Sequence, residues 1–178
     1  MRFAYADPPY PGQAKKHYDS EEVNHAELIE QLHEDYPDGW ALSTSSPALK
    51  DILALSNCPR SVRIMAWVKP FCSFKPNVNP AYAWEPVLVY GGRKRGRDKP
   101  TVRDFVSVNI TLKKGLCGAK PPEFCYWLFS VLGAEKGDTL DDLFPGTGIV
   151  SDCWRKFQEV NICPYYCDES ITWDNIHE

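Results

Sequence analysis

Asp7-Pro8-Pro9-Tyr10 sets an acid, two rigid residues and a phenol ring in a row, directly after the short apolar run from Arg2 to Ala6. A buried strand that stops at such a loop puts the acid at its carboxyl end, where ligands gather in open α/β sheets. These residue types suit one task in particular. An amine attached to an aromatic base is a poor nucleophile, because its lone pair is delocalised into the ring. Acceptors that hold its hydrogens favour a pyramidal, reactive nitrogen, and the Asp7 carboxylate and Pro8 carbonyl are such acceptors. The prolines fix the backbone so that the carbonyl is aimed in advance, which is electrostatic preorganisation. Tyr10 offers a face on which a base stacks, and a base inside a duplex has to swing out to reach it. Aspartate and proline are also common turn formers, so the tetrapeptide alone is compatible with a plain turn.

The second constellation is Asp142-Leu143-Phe144-Pro145-Gly146-Thr147-Gly148, an acid and an aromatic at a strand end followed by glycines that open a helix. Glycines there let a ligand approach the backbone closely. The loop lacks the Gly-Lys-Ser/Thr ending of a phosphate-binding loop, which argues against a nucleoside triphosphate. A cationic cofactor without phosphates suits the acid, and a strand-to-helix turn packed for its own sake is the alternative. Between the two constellations, Arg93, Lys94, Arg95, Arg97, Lys99 and Arg103 crowd a glycine-containing loop. Cations on such a segment neutralise phosphates and dock a groove, so this loop is the candidate nucleic-acid contact; a solvated charged loop is the other reading.

The elements that must hold these loops follow from periodicity. Arg2 to Ala6 reads as a strand. Ser20 to Tyr36 reads as an amphipathic helix capped by Ser20, with Glu21 and Glu22 in its first turn. Strands are expected over 39–44, 61–68, 82–90 and 139–144, and helices over 47–55, 121–132 and 149–157. Strand and helix alternate, which argues for a mostly parallel sheet with helices on both faces. The stretch 161–178 has no clear period and reads as an irregular tail.

Composition bounds the function. A chain of 178 residues with 43% hydrophobic content can bury one core, so a single domain is expected. Its net charge of -4 excludes a protein that coats nucleic acid with a general basic surface, so any such contact is local. Seven cysteines, an odd number, lie in apolar stretches without an apolar leader, which fits a reduced, cytoplasmic protein. No apolar run approaches the ~20 residues that cross a bilayer. Cys163, Cys167 and His177, with Cys153 as a distant companion, lack the two close pairs of a structural zinc site, so no metal is expected. His17 and Tyr18 receive no role. Glu85, between Trp84 and Pro86, is compatible with orienting a substrate loop or with capping a strand.

Together the two loops resemble the S-adenosylmethionine-dependent amino-methyltransferase family, whose members pair an Asp-Pro-Pro-aromatic catalytic loop with an Asp-x-Phe-x-Gly-x-Gly cofactor loop. Trp67-Val68-Lys69-Pro70, the run Trp84 to Val89, and Gly118-Ala119-Lys120-Pro121 are similar to further family segments. The resemblance covers most of residues 2 to 157. Because the catalytic loop precedes the cofactor loop, it implies the circularly permuted, beta-class version of a Rossmann-like methyltransferase fold with a reduced sheet, similar to small phage-type adenine methyltransferases. It implies catalytic roles for Asp7, Pro8, Pro9 and Tyr10. Cofactor contacts fall on Asp7, Lys120, Pro121, Asp142, Phe144, Gly146, Thr147 and Gly148. It divides the chain into a catalytic half (1–90), a target-contact loop (91–104), a cofactor half (105–160) and the tail. The family's acid that holds the cofactor ribose has only Asp168 and Glu169 as candidates, unless a partner subunit supplies it. The implied activity is methylation of N6 of adenine in DNA. N4 of cytosine and RNA adenine are alternatives, as is a catalytically silent homologue that binds nucleic acid or a partner.

Overall fold

The computed structural model describes residues 1–10, 22–71, 77–110 and 119–159. Its centre is a six-stranded sheet in the order β5-β3-β4-β2-β1-β6. The strands are β1 (Arg2–Ala6), β2 (Gly39–Ser43), β3 (Arg63–Val68), β4 (Trp84–Gly91), β5 (Phe105–Ser107) and β6 (Thr139–Asp142). β1 is parallel to β2 and to β6, and β3 is parallel to β5, while β4 runs antiparallel to both of its neighbours. The sheet is therefore mixed but mostly parallel, as the alternation of elements predicts.

Among the described residues, four helices cover the sheet: α1 (His25–Asp35), α2 (Leu49–Leu53), α3 (Pro122–Leu132) and α4 (Ile149–Glu159). The pleat of β1 sends alternate side chains to opposite faces. Phe3 and Tyr5 pack with Phe124, Trp127 and Phe129 of α3 and with Phe157 of α4. Ala4 and Ala6 pack with Leu28, Ile29 and Leu32 of α1 and Ile52 of α2. Each large side chain wholly withdrawn from water in these layers contributes about 1.5–3 kcal/mol. β1 is thus buried on both faces, which rigidly fixes where its carboxyl end points.

Several boundaries differ from the sequence reading, each for a local reason. Asn24 caps α1, its Oδ1 accepting from the Ala26 and Glu27 amides at 3.1 and 3.4 Å, so Glu22 lies before the helix; Ser20 and Glu21 fall outside the described residues. Pro47 and Ala48 belong to a turn that precedes α2. β5 escaped the sequence reading because three residues carry too little periodicity to register. Also outside the described residues are His17, Tyr18, Gly118, Cys163, Cys167, His177, Asp168, Glu169 and the rest of the tail.

Candidate active site

β1 ends against β6, with Tyr5 in register with Asp142, and the Leu143 amide donates to the Tyr5 carbonyl at 2.9 Å. The loops that open at Asp7 and after Asp142 therefore leave one sheet edge side by side. β2 lies on the other flank of β1, so the chain winds away from this point in both directions, and the crevice is a topological switch point. Beneath it the Tyr5 hydroxyl meets the Ser43 hydroxyl at 2.8 Å in the core.

Asp7 opens onto a chain of partly buried charges. Its carboxylate pairs with Lys120 at 2.8 Å, and Lys120 reaches Glu85 at 3.5 Å. Glu85 also pairs closely with Lys69 and accepts from the Tyr10 hydroxyl at 2.8 Å. The aromatic floor is Trp67, whose ring lies 4.6 Å from the Lys69 ammonium and 5.3 Å from that of Lys120. The Lys120 side chain is 4% exposed, and two carboxylates compensate the burial of its charge.

The electrostatics differ between the two acids. Burial pushes the Asp7 carboxyl above its ordinary value, and Lys120 opposes that shift. Its side chain is closely surrounded by protein but retains 24% exposure, so a small ligand has access to it. Burial acts on Glu85 in the same sense, but Lys120 and Lys69 together prevail and hold it below the usual carboxylate range. For Lys120, burial works to remove the charge, and Asp7 and Glu85 overcome it, so the ammonium is held more firmly than in water.

Asp142 has no such partner. Both of its oxygens are buried without a hydrogen bond among the described residues. Burial pushes its carboxyl up to about 6 and Asp7 adds to that; the Phe144 backbone and Ser151 side chain lie near enough to lower it in part, without the geometry of a hydrogen bond. An acid left in this condition fits a cationic ligand. The loop beyond it leaves room for one. Gly148 takes φ +75°, and a Cβ built there meets nothing within 4 Å; Gly146 takes φ +47°, with only the Phe144 carbonyl near, at 3.8 Å. Both positions disfavour a side chain on conformational grounds while the space above them stays open. α4 starts immediately after, and its first amides favour negative charge. A buried acid beside a helix N-terminus suits the amino-acid end of S-adenosylmethionine, which carries an ammonium and a carboxylate.

Asp7, Pro8, Pro9, Tyr10, Lys120, Phe144, Gly146, Thr147 and Gly148 thus belong to loops or helix approaches at this edge, and Asp142 to the end of β6. The basic segment does not begin there. Gly91, at its start, pairs with Gly39, the first residue of β2, so the segment leaves the sheet at the opposite edge. Arg93 donates to both Asp138 oxygens at 2.8 Å and to the Gly133 carbonyl at 3.0 Å. Arg95 bonds to the carbonyls of Pro100 and Ser130, and Lys99 pairs with Glu135 at 2.6 Å. These cations tie the segment to the turn before β6. Lys94, Arg97 and Arg103 are exposed.

Two site residues went unassigned in the sequence reading. Lys69 stands there only within a segment similar to one of the family's, and the role of Glu85 stays open. The available signal is the placing of a charge directly beside tryptophans, in Trp67-Val68-Lys69 and Trp84-Glu85.

No family model matches the chain, and no curated protein matches it either. Solved structures do. The crystal structure of an M1.HpyAVI–SAM complex superposes with a TM-score of 0.62 and 15% identity, over 90% of this chain and 80% of that one. A crystal structure of M1.HpyAVI gives 0.57 and 16%, over 89% and 76%. At this identity the likeness establishes a shared fold, the Rossmann-like α/β sheet expected from the sequence.

Proposed function

We propose that the protein transfers a methyl group from S-adenosylmethionine to the exocyclic amine of a nucleic-acid base, N6 of adenine in DNA. One observation carries the reading: the loop of Asp7 and the glycine loop of Asp142 leave neighbouring parallel strands at the same edge, in register. The fold shared with M1.HpyAVI, whose crystal structure was solved with SAM, supports the same cofactor. The order of the two loops along the chain supports the permuted arrangement.

The cofactor fits the residues present. Asp142 takes its cationic end, Phe144 borders it, and Gly146, Thr147 and Gly148 let it lie against the start of α4. Pro121 caps the start of α3, directly after Lys120, the partner of Asp7. When bound, S-adenosylmethionine supplies an electrophilic methyl group on a sulfonium. The chain's own residues prepare the acceptor. A flipped base stacks on Tyr10, and its amine donates one hydrogen to Asp7 and another to the Pro8 carbonyl. Holding both hydrogens concentrates the lone pair on nitrogen and points it across the crevice, so orientation and charge lower the barrier without a covalent enzyme intermediate. Phosphate contacts by Lys94, Arg97 and Arg103 fall on backbone remote from the flipped base.

The test is methyl transfer from labelled S-adenosylmethionine to duplex DNA, with cytosine-only duplexes and RNA in the same panel and Asp7→Ala as control. Label on the amine of adenine supports the reading. Calorimetric binding of the cofactor without transfer to any nucleic acid sinks it in favour of a silent homologue.

A further inference from the structure

Glu85 lies at the junction of three elements. It receives Tyr10 from the loop after β1, Lys69 from the end of β3 and Lys120 from the segment that enters α3. Its side chain is 18% exposed and that of Lys69 13%, so these are not surface pairs that come and go with solvent. Lys120, which the family resemblance assigns to the cofactor, already has its ammonium held by Asp7 at 2.8 Å and Glu85 at 3.5 Å. Three charge-assisted contacts converge on one carboxylate. Such contacts are roughly twice as strong as neutral ones and fix the geometry of the groups they join.

Building on the proposed function, we propose that Glu85 and Lys120 are positioning residues of the catalytic loop. Glu85 anchors Tyr10 by its hydroxyl and Lys120 by its ammonium, and Lys120 in turn holds the Asp7 carboxylate. The stacking ring and the hydrogen acceptor are thereby set against each other before a base arrives. The cluster carries two carboxylates and two ammonium groups, so it is neutral as a whole. Neutrality leaves the Asp7 charge available to the incoming amine, because Glu85 takes up much of the attraction of the two lysines. Supporting side chains locked by their own partners are what hold a reactive group to within a fraction of an ångström.

The groups facing Asp7 are Lys120 from the start of α3, Glu85 from β4, Lys69 from the end of β3, Asp142 from β6 and Tyr5 from β1. They give opposite expectations for the two positioning residues. Removing the cation with Lys120→Met takes away the main opposition to burial, so Asp7 ionises at higher pH, by about one to three units. Glu85→Gln removes a negative charge and turns both lysines toward Asp7, so Asp7 ionises at lower pH. The measurement is a carbon-13 titration of the Asp7 carboxyl in the full chain, with Asp7→Asn used for assignment. Shifts in opposite directions are the expected result; no shift, or shifts of the same sign, overturn the proposal. If Lys120→Met does not fold, the nearly isosteric Glu85→Gln decides alone, a downward shift supporting the proposal and no shift overturning it. Methyl transfer is followed in parallel, where Glu85→Gln is expected to lower kcat and leave the KM for S-adenosylmethionine in place. A wild-type chain that transfers no methyl group counts against the proposed function, while the titrations still decide this one.

Discussion

Replacing Asp142 by asparagine is expected to make the free protein more stable and its cofactor binding worse. The wild-type carboxyl is pushed from 3.8 up to about 6 by burial without a hydrogen-bonding partner, so ionising it costs free energy in the folded state. At about 1.36 kcal/mol per pKa unit the upper bound is about 3 kcal/mol, and partial solvent access reduces it to about 1 kcal/mol. The sign follows from proton linkage. A folded-state value above the unfolded one means that the native state binds the proton more tightly between these limits. The contribution of Asp142 to wild-type stability is therefore greatest below about 4 and declines as pH rises through about 6. The amide of the Asp142→Asn variant carries no charge and escapes the decline. In urea denaturation the variant should match the wild type near pH ~4 and exceed it by about 1 kcal/mol near pH ~7.5, a rise in Tm of about 2–4 °C for a domain of this size. Calorimetry with S-adenosylmethionine should show the opposite, a loss of about tenfold or more, worth about 1.4 kcal/mol. Opposite movement of stability and binding marks an acid kept for a ligand. A variant less stable at pH ~7.5, or a difference that does not change with pH, refutes the reasoning and makes Asp142 a structural acid.

Four other outcomes are expected. Asp7→Ala should lower methyl transfer at saturating cofactor by about 10²- to 10⁴-fold, as single-turnover rates report. Gly148→Val, which puts a branched side chain at φ +75° in the open space over the loop, should weaken S-adenosylmethionine binding about tenfold or more, whereas binding equal to wild type removes the cradle from the cofactor site. Arg93→Ala should cost about 1–3 kcal/mol of stability by leaving Asp138 short of a partner, without changing the salt dependence of DNA binding. Alanine at Lys94 or Arg97 should reduce that salt slope by roughly 0.9 for each phosphate the side chain neutralises, and an unchanged slope removes the segment from the DNA interface.

The basic segment and the charge cluster show how far local reading reaches. Arg93, Lys94 and Arg95 announce positive charge in any context, but their use depends on what the chain brings opposite them. Asp138 and Glu135, about forty residues on, occupy Arg93 because β4 is reversed and delivers the segment to the edge where β6 begins. Glu85 is undecidable in the sequence for the same reason. A carboxylate beside a tryptophan has no legible partner until the pairing of β3 with β4 sets Trp67 opposite Glu85 and the approach to α3 adds Lys120.

What the sequence by itself determined is local: a five-residue apolar strand that must stop at Pro8, glycines that must open a helix after Asp142, and an alternation that makes a mostly parallel sheet. Backbone sterics and hydrophobic period decide those things within a few residues. Only the tertiary structure decided that the two loops are neighbours, that Asp142 lacks a partner among the described residues, and that Lys120 belongs to Asp7. Each of these depends on strand order and register, which arise from burying both faces of β1 at once. Ion pairs between distant segments leave no periodic trace in a chain, because their strength comes from exclusion of water after the core has closed.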